Sequence, residues 1–199
     1  MAFKDILEDV LIIDRCKQED RRDAQGKMNR FILIGARSVG KTTIGKVLAK
    51  KLKIRFYDLD DIVDKDLHGL DGYIKRYGVK KYRYIEHEIL KEFVRTLPEN
   101  FVLSLGGGTI ASQYKSLSRK NQGILKSLGK IIYLRPAISK KDSIKILYAN
   151  ELKRKGDKSL KEIIKLHGLR EHIYENICDK KIILKDKSMV RIIDEMIRA

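Results

Sequence analysis

Short apolar runs alternate along this chain with longer segments in which apolar residues recur every three or four positions. The runs predict strands at 31–34, 54–57, 101–105, 130–134 and 181–184. The longer segments predict helices at 41–52, through 61–97, near 111–127, across 139–178 and at 187–198. Strands that alternate with helices form parallel sheets through right-handed crossovers. We therefore predict an α/β fold with a five-stranded parallel sheet flanked by helices.

The first 29 residues lie outside this alternation. Apolar residues between positions 3 and 13 predict a short amphipathic helix, and the polar stretch 17–27 indicates a linker. We therefore divide the chain into an N-terminal extension, 1–29, and one domain, 30–199. Acidic residues interrupt the apolar positions of the extension, which is unlike a signal peptide. No apolar run approaches the roughly 18 residues of a transmembrane helix, so we expect no membrane partner.

Composition adds a strong positive charge to this picture. The chain has 199 residues, enough for one domain with a sizeable core, and a formal net charge of +17. A basic face is typical of proteins that bind nucleic acid. Here the lysines are spread over nearly every predicted helix, so we interpret most as solvated and expect no nucleic acid partner. Cys16 and Cys178 have neither metal-ligand nor disulfide spacing, which indicates a reduced, cytoplasmic protein. We expect a monomer.

Residues 35–43, GARSVGKTT, match the phosphate-binding pattern G-x-x-x-x-G-K-[ST]. A predicted strand before them and a predicted helix behind them are the setting that this motif requires. Its backbone N–H groups and the helix N-terminus bind anionic oxygens. Lys41 supplies a positive charge at the β- and γ-phosphates, and Thr42 a hydroxyl ligand for Mg²⁺. We therefore expect ATP and Mg²⁺ as cofactors, with the nucleotide held by Ser38, Val39, Gly40, Lys41, Thr42 and Thr43.

Two carboxylates, Asp58 and Asp60, stand at the end of the second predicted strand. Residues at i and i+2 of an extended strand lie on the same side. Ligands of open α/β sheets bind beyond the carboxyl ends of the strands. One of these carboxylates can therefore hold Mg²⁺ through water, and one can orient or deprotonate a substrate hydroxyl. Asp61 is expected to cap the next helix.

Two later segments carry weaker signals of function. Arg83 and Glu86 share a helix face three residues apart, a spacing that by itself favours a surface ion pair of little energetic value. The glycines 106–108 directly follow the third predicted strand. Three residues without Cβ let a ligand approach the backbone closely, and their place at the carboxyl end of a strand favours a binding role.

The ordered set of motifs resembles that of the shikimate kinases, within the nucleoside-monophosphate-kinase-like group of P-loop kinases. The similarity covers about residues 30–198. The resemblance implies a three-layer P-loop kinase fold with a helical substrate-binding region and a lid. It also implies the ATP-dependent phosphorylation of a small carboxylic acid, shikimate, to shikimate 3-phosphate. The motifs are the P-loop, Asp58-Leu59-Asp60, Tyr82-Arg83-Tyr84-Ile85-Glu86, the glycine triplet and Arg170-Glu171-His172-Ile173-Tyr174.

The same resemblance implies roles for individual residues. Thr42 and Asp58 resemble the metal-binding residues, and Lys41 and Asp60 resemble the catalytic residues. In the acid-binding site, two arginines hold the substrate carboxylate, a glutamate fixes the first of them, and glycine backbone forms the wall. These acid-binding residues would be Asp60, Arg83, Glu86, Gly106, Gly107, Gly108 and Arg170.

Two features depart from the family pattern. Ser38 stands where glycine is usual, a change that we expect to be tolerated if the local φ angle is negative. The lid usually carries an Arg-Pro pair, but the only such pair, Arg135-Pro136, directly follows the fourth predicted strand and is too early in the chain. We therefore expect the lid at 149–160. Its cation over ATP is expected to be Arg154, with Lys153, Lys155 and Arg135 as rivals.

Two other functions stay open at this point. A kinase-like module that senses a ligand or binds nucleic acid without turnover would fit the basic surface and the atypical lid. Another small-molecule kinase of the same fold would fit the P-loop, although the arginines and the glycine triplet argue against a nucleoside monophosphate. The intact set of Lys41, Thr42, Asp58 and Asp60 favours an enzyme.

Overall fold

The structure, a computed structural model, describes residues 28–154, 156 and 158–198. The predictions for residues 1–27, and the lid candidate Lys155, lie outside the described residues. Five strands form one sheet in the order β2-β3-β1-β4-β5, and all neighbours pair in parallel, as predicted. The strands are β1 Arg30–Ile34, β2 Arg55–Asp58, β3 Phe101–Ser104, β4 Lys130–Arg135 and β5 Lys180–Ile183.

Helices connect successive strands and cover both faces of the sheet. Strand β1 shows how the sequence produces this, because side chains of a strand alternate between its two faces. Ile32 and Ile34 join one apolar core, whereas Phe31 and Leu33 join the other. Buried on both faces, the sheet is the middle of three layers, which confirms the predicted fold class. The helices are α1 Lys41–Leu52, α2 Leu59–Leu67, α3 Leu70–Phe93, α4 Lys115–Leu128, α5 Lys140–Lys153, α6 Leu160–Ile177 and α7 Met189–Ile197.

The start of α2 corrects two details of the sequence analysis. Strand β2 ends at Asp58, and helix α2 begins at the next residue, so Asp58 and Asp60 do not share an extended strand. Asp58 is the N-cap and its side chain accepts a hydrogen bond of 3.2 Å from the Asp60 backbone N–H. Asp61, the expected cap, lies in the first helical turn. A carboxylate one residue before the helix satisfies its free N–H groups better than one inside it.

Helix α3 contains a break at Gly78, whose φ of 81° and ψ of 159° are not helical. Tyr82 and the residues after it therefore belong to the second half of a kinked helix. The helix predicted near 111–127 begins later, at Lys115, because the preceding residues form an irregular loop after β3. In the described part of the chain, the helices lack the combination of length and apolar character needed to cross a bilayer.

The order of the central strands brings three predicted motifs to one edge of the sheet. Asp58 is in register with Ser104, and Ser104 is in register with Leu33 of β1. The residues that follow these strands are α2, the glycine triplet and the P-loop. Because parallel strands end at the same edge, the three segments are neighbours beyond their carboxyl ends.

Candidate active site

The loop between β1 and α1 has the backbone shape that its glycines allow. Gly35 has a φ of 148° and Gly40 a φ of 103°, both in the region that disfavours residues with side chains. A Cβ on Gly35 would also lie 2.7 Å from the Leu134 carbonyl oxygen. The first N–H groups of α1, which have no acceptor within the helix, open onto the space enclosed by this loop. This arrangement suits the binding of anionic oxygens.

Lys41 is buried at the start of α1, and its ammonium group folds back over the loop. Its Nζ donates to the carbonyl oxygens of Gly35 and Ala36, at 3.1 and 2.8 Å. Burial lowers the pKa of Lys41 to about 8, although the carboxylates of Asp60 and Asp58 oppose this change. An anionic ligand in the loop would favour the charged form of this lysine.

The two predicted carboxylates lie beside Lys41 but face different partners. Asp58 Oδ2 accepts a hydrogen bond of 2.7 Å from Thr42 Oγ1, so hydroxyl and carboxylate oxygens meet at the N-terminus of α1. Asp60 lies at the surface as a residue, but its carboxylate packs against Gly106. The resulting loss of solvation raises the pKa of Asp60 to about 6. Lys41 opposes this increase, whereas Glu86 adds to it. Asp60 therefore interacts electrostatically with the P-loop on one side and with the predicted acid site on the other.

Each glycine of the triplet after β3 leaves room for one predicted site residue. A Cβ on Gly106 would overlap the Asp60 carboxylate, and a Cβ on Gly108 would overlap the guanidinium of Arg83. A Cβ on Gly107 would lie 3.2 Å from Arg170 Nη1. The absence of Cβ atoms in this triplet therefore lets side chains from α2, α3 and α6 lie against one stretch of backbone. A larger residue in place of any of the three glycines would push the neighbouring side chain away.

Arg83 and Arg170 converge at Gly108. The Cβ position of this glycine lies next to Nη2 of both side chains, 3.2 Å away in the case of Arg170. Burial disfavours the charged form of Arg83, but Glu86 and its other neighbours raise the pKa of Arg83 overall. Burial lowers the pKa of Arg170, and Arg83 adds to this effect. Because Glu86 can balance only one of the two charges, the pair would be stabilised by an anion.

Buried polar groups fix both arginines. Arg83 Nη1 donates to Glu86 Oε2 at 2.7 Å, and Glu86 has no exposed surface. The interpretation of this pair as a surface ion pair was therefore wrong. Glu86 Oε1 also accepts hydrogen bonds from Thr109 Oγ1, at 2.8 Å, and from Tyr82 Oη, at 3.3 Å. A carboxylate with three donors is held firmly enough to orient a guanidinium.

Arg170 is held against the loop that follows the glycine triplet. Its Nε donates to the Ala111 carbonyl oxygen at 3.1 Å. One turn later on α6, Tyr174 Oη donates to the Gly107 carbonyl oxygen. The spacing of the Arg-x-x-x-Tyr motif therefore corresponds to two anchors on one loop, as expected for residues four apart on a helix.

Sequence reasoning missed the supporting residues Thr109, Asn121 and His87. Asn121 Nδ2 donates to the Thr109 carbonyl oxygen at 2.8 Å, and Asn121 Oδ1 lies 2.6 Å from His87 Nδ1. All three side chains are buried. Asn121 interrupts the apolar face of α4, and a polar residue at such a position was the available signal.

The predicted lid cation, Arg154, lies at the P-loop. It is the C-cap of α5, and its Nη1 donates to Ser38 Oγ at 3.4 Å. The rival Arg135 contacts two carboxylates of α6, with Nη2 2.7 Å from Glu171 and Nη1 3.4 Å from Glu175. Lys153 is exposed at the end of α5. Among the described candidates, Arg154 is the one that contacts the loop.

Ser38 does not meet the condition under which a serine was expected to be tolerated, a negative φ angle. Its φ is 63°, in the left-handed region where residues other than glycine are uncommon. Val39 packs its side chain into the core beside the loop, and Thr43 is exposed in the first turn of α1. The P-loop therefore keeps its expected course with a serine in a conformation that favours glycine.

Comparison with known proteins agrees with this geometry. The family model described as shikimate kinase matches residues 37–199. A curated shikimate kinase from Enterococcus faecalis is 33% identical over 174 residues, which cover 86% of this chain and 98% of that protein. Another, from Caldicellulosiruptor bescii, is 35% identical over 157 residues, which cover 78% of this chain and 86% of that one.

Solved structures of similar fold were also found. The shikimate kinase from Acinetobacter baumannii in complex with shikimate has a TM-score of 0.74 at 19% identity, with 89% of this chain and 96% of that chain covered. At this identity the likeness concerns the fold. The motifs of this chain agree with the family match over residues 37–199, and this chain therefore belongs to the shikimate kinase family.

Proposed function

We propose that this protein transfers the γ-phosphoryl group of ATP to the 3-hydroxyl group of shikimate, giving shikimate 3-phosphate and ADP. The observation that carries the proposal is the pair of arginines that converge at Gly108, on a stretch of glycine backbone that also lies next to Asp60 and the P-loop. Membership of the shikimate kinase family supports it, as do curated relatives named for this activity.

On the nucleotide side, the P-loop N–H groups and Lys41 would hold the phosphates of ATP. On nucleotide binding, Lys41 would exchange the carbonyl oxygens of Gly35 and Ala36 for phosphate oxygens, which are stronger partners because they are charged. The ammonium group of Lys41 would stabilise the charge that develops on the transferred phosphoryl group.

The donor set beside Lys41 fits Mg²⁺. Thr42 Oγ1 and Asp58 Oδ2 are hard oxygen ligands that lie 2.7 Å apart at the N-terminus of α1. When bound with ATP, Mg²⁺ neutralises phosphate charge. Thr42 would contact it directly and Asp58 through water.

On the acid side, the guanidinium groups of Arg83 and Arg170 would pair with the carboxylate of shikimate. A planar guanidinium matches a carboxylate with two parallel hydrogen bonds, and Glu86 preorganises the first arginine. This contact orients the ring so that one hydroxyl group faces Asp60. The glycines 106–108 form the backbone wall of the pocket.

Asp60 would accept the proton of that hydroxyl group. The hydroxyl oxygen attacks the γ-phosphorus, its O–H proton passes to Asp60, and the bond from the γ-phosphorus to the bridging oxygen breaks to release ADP. A base with a pKa of about 6 is ionised at neutral pH and is still basic enough to take part in proton transfer. Arg154 would cover the phosphates from the lid side and limit access of water.

An ADP-coupled assay with a panel of acceptors tests this proposal. The expected acceptor is shikimate, whereas its methyl ester and nucleoside monophosphates should react poorly. The ester keeps every hydroxyl group but lacks the charge that the two arginines bind. Equal specificity constants for shikimate and its ester, or faster reaction of a nucleoside monophosphate, would contradict the assignment.

A further inference from the structure

The serine of the P-loop adopts a conformation that its own sequence does not favour. Ser38 has a φ of 63°, and L-residues with a Cβ are disfavoured there. Such conformations persist when surrounding contacts fix them. The contacts of Ser38 therefore identify what holds the phosphate-binding loop in shape.

Ser38 is contacted by the last turn of α5 at both its backbone and its side chain. Asn150 Nδ2 donates to the Ser38 carbonyl oxygen at 3.0 Å. Ser38 Oγ donates to Glu151 Oε2 at 2.5 Å, and Arg154 Nη1 donates to the same hydroxyl at 3.4 Å. The side chains of Ser38 and Glu151 are both buried. Three residues of one turn thus converge on a single position of the loop.

Glu151 is itself fixed by its surroundings. Its Oε1 lies 3.3 Å from Nε of Arg37, another P-loop residue, which is within ion-pair distance but is not a hydrogen bond. Gly156 donates its backbone N–H to the Glu151 carbonyl oxygen at 3.0 Å. A Cβ on Gly156 would overlap the Glu151 carboxylate, so the glycine leaves the space that this side chain occupies.

We propose that Asn150 and Glu151 are positioning residues that clamp Ser38 and thereby keep the P-loop in its phosphate-binding shape. The inference rests on the proposed function, because the loop is taken to bind ATP. A glycine at position 38 would adopt this backbone conformation without help. In this chain, the side chains of α5 compensate for the serine. Since α5 leads into the predicted lid, the clamp also couples the start of the lid to the phosphate site.

A double-mutant cycle on nucleotide binding tests the clamp. ADP is titrated calorimetrically against the full-length protein and its Glu151→Ala, Ser38→Gly and doubly substituted variants. Glu151→Ala should weaken ADP binding about ten-fold, the effect of losing one hydrogen bond to a charged group. In the Ser38→Gly background the same substitution should change the affinity less than about two-fold, because glycine no longer needs the clamp.

The conservative variant and a control complete the design. Glu151→Gln keeps an oxygen acceptor for Ser38 Oγ and should retain most of the affinity. Glu92→Gln removes a partly exposed carboxylate of α3 that pairs with the exposed Arg95, and should have no effect. Asn150→Ala, which removes only the bond to the Ser38 carbonyl oxygen, gives the same cycle if Glu151→Ala does not fold.

Two results would overturn the inference. An equal loss of ADP affinity in both backgrounds would show that Glu151 acts without Ser38. Tighter binding by Glu151→Ala would show that the carboxylate repels phosphate. Because ADP binding requires no acceptor, the cycle can succeed even if shikimate is not phosphorylated, so failure of the clamp and failure of the proposed function are distinguishable.

Discussion

The two sides of the cleft are built in different ways. On the acid side, Arg83 and Arg170 lie against glycine backbone and are fixed by buried partners from separate elements. On the nucleotide side, the site is mainly a backbone loop with Lys41 folded over it, and side chains of α5 contact the loop at Ser38. If the proposed roles are right, close packing around charged side chains sets acceptor choice, whereas the conformation of a short loop sets nucleotide binding. Substitutions should therefore separate the two properties.

The largest effect is expected for Lys41→Ala. Loss of the ammonium group removes charge stabilisation from the transferred phosphoryl group, and kcat should fall by at least about 10³-fold. Lys50→Ala, an exposed lysine of the same helix, should leave kcat unchanged. Steady-state kinetics with circular dichroism as a folding check provide the measurement. A kcat near the wild-type value in folded Lys41→Ala would contradict the P-loop assignment.

Asp60→Asn should reduce kcat by about 10²- to 10⁴-fold with little change in KM for ATP. The amide keeps the shape of the side chain but cannot accept the proton. If ATP affinity fell as much as kcat, Asp60 would belong to the nucleotide side instead.

The pH profile of kcat/KM tests the same residue in the unmodified protein. Asp60 is the proposed base, so activity should be lost as the pH falls through its raised pKa of about 6. Lys41 must be charged, so activity should also be lost as the pH rises through its lowered pKa of about 8 in the free enzyme. The acid limb should disappear in Asp60→Asn, whose residual activity has no base to protonate. An acid limb that persists in this variant would assign it to another group.

Arg170→Lys and Arg83→Lys should each raise KM for shikimate about ten- to hundred-fold and leave KM for ATP nearly unchanged. Lysine keeps the charge but lacks the planar pair of donors. Arg95→Lys, at an exposed ion pair on the surface, is the matched control. An increase in KM for ATP of similar size would show that the two sides are not separable.

Gly108→Ala should weaken shikimate binding about ten-fold, since an added Cβ would overlap Arg83 and lie close to Arg170. Gly123→Ala is the control, because a Cβ at this position of α4 meets no atom within 4 Å. In that helix the substitution should raise stability by about 0.5–1 kcal/mol. Calorimetric titration of shikimate against both variants measures the contrast. Unchanged affinity in Gly108→Ala would remove the argument for the glycine wall.

The chain order of strands and helices was largely predictable because the central strands β1, β3 and β4 are short apolar runs and most helices carry apolar residues at helical spacing. The stretches predicted as helical through 61–97 and across 139–178 each contain more than one helix, and the sequence pattern did not show where they divide. The P-loop was predictable because the residues of its motif are contiguous in the sequence. Asp58 as the cap of α2 was missed because the helix begins three residues earlier than expected, which moves Asp61 from the cap position into the first turn.

Burial was the property that spacing could not supply. The Arg83 and Glu86 pair has the spacing of a surface ion pair, and in the sequence only the family resemblance assigned it to the site. In the structure, Glu86 is buried and accepts hydrogen bonds from Thr109 and Tyr82, which distinguishes it from a surface pair. The φ angle of Ser38 was also beyond the sequence, because the residues that stabilise it lie 112 and 113 positions further along the chain. Long-range contacts of this kind depend on the whole fold.

Phosphoryl transfer by this protein can be observed directly by phosphorus NMR of a reaction that contains the protein, ATP, Mg²⁺ and shikimate. We expect one new phosphate monoester on shikimate, formed in step with ADP and absent when shikimate is omitted. Formation of inorganic phosphate alone, or an unchanged ATP spectrum with a folded protein, would contradict the claim that the two sides of this cleft cooperate in phosphoryl transfer.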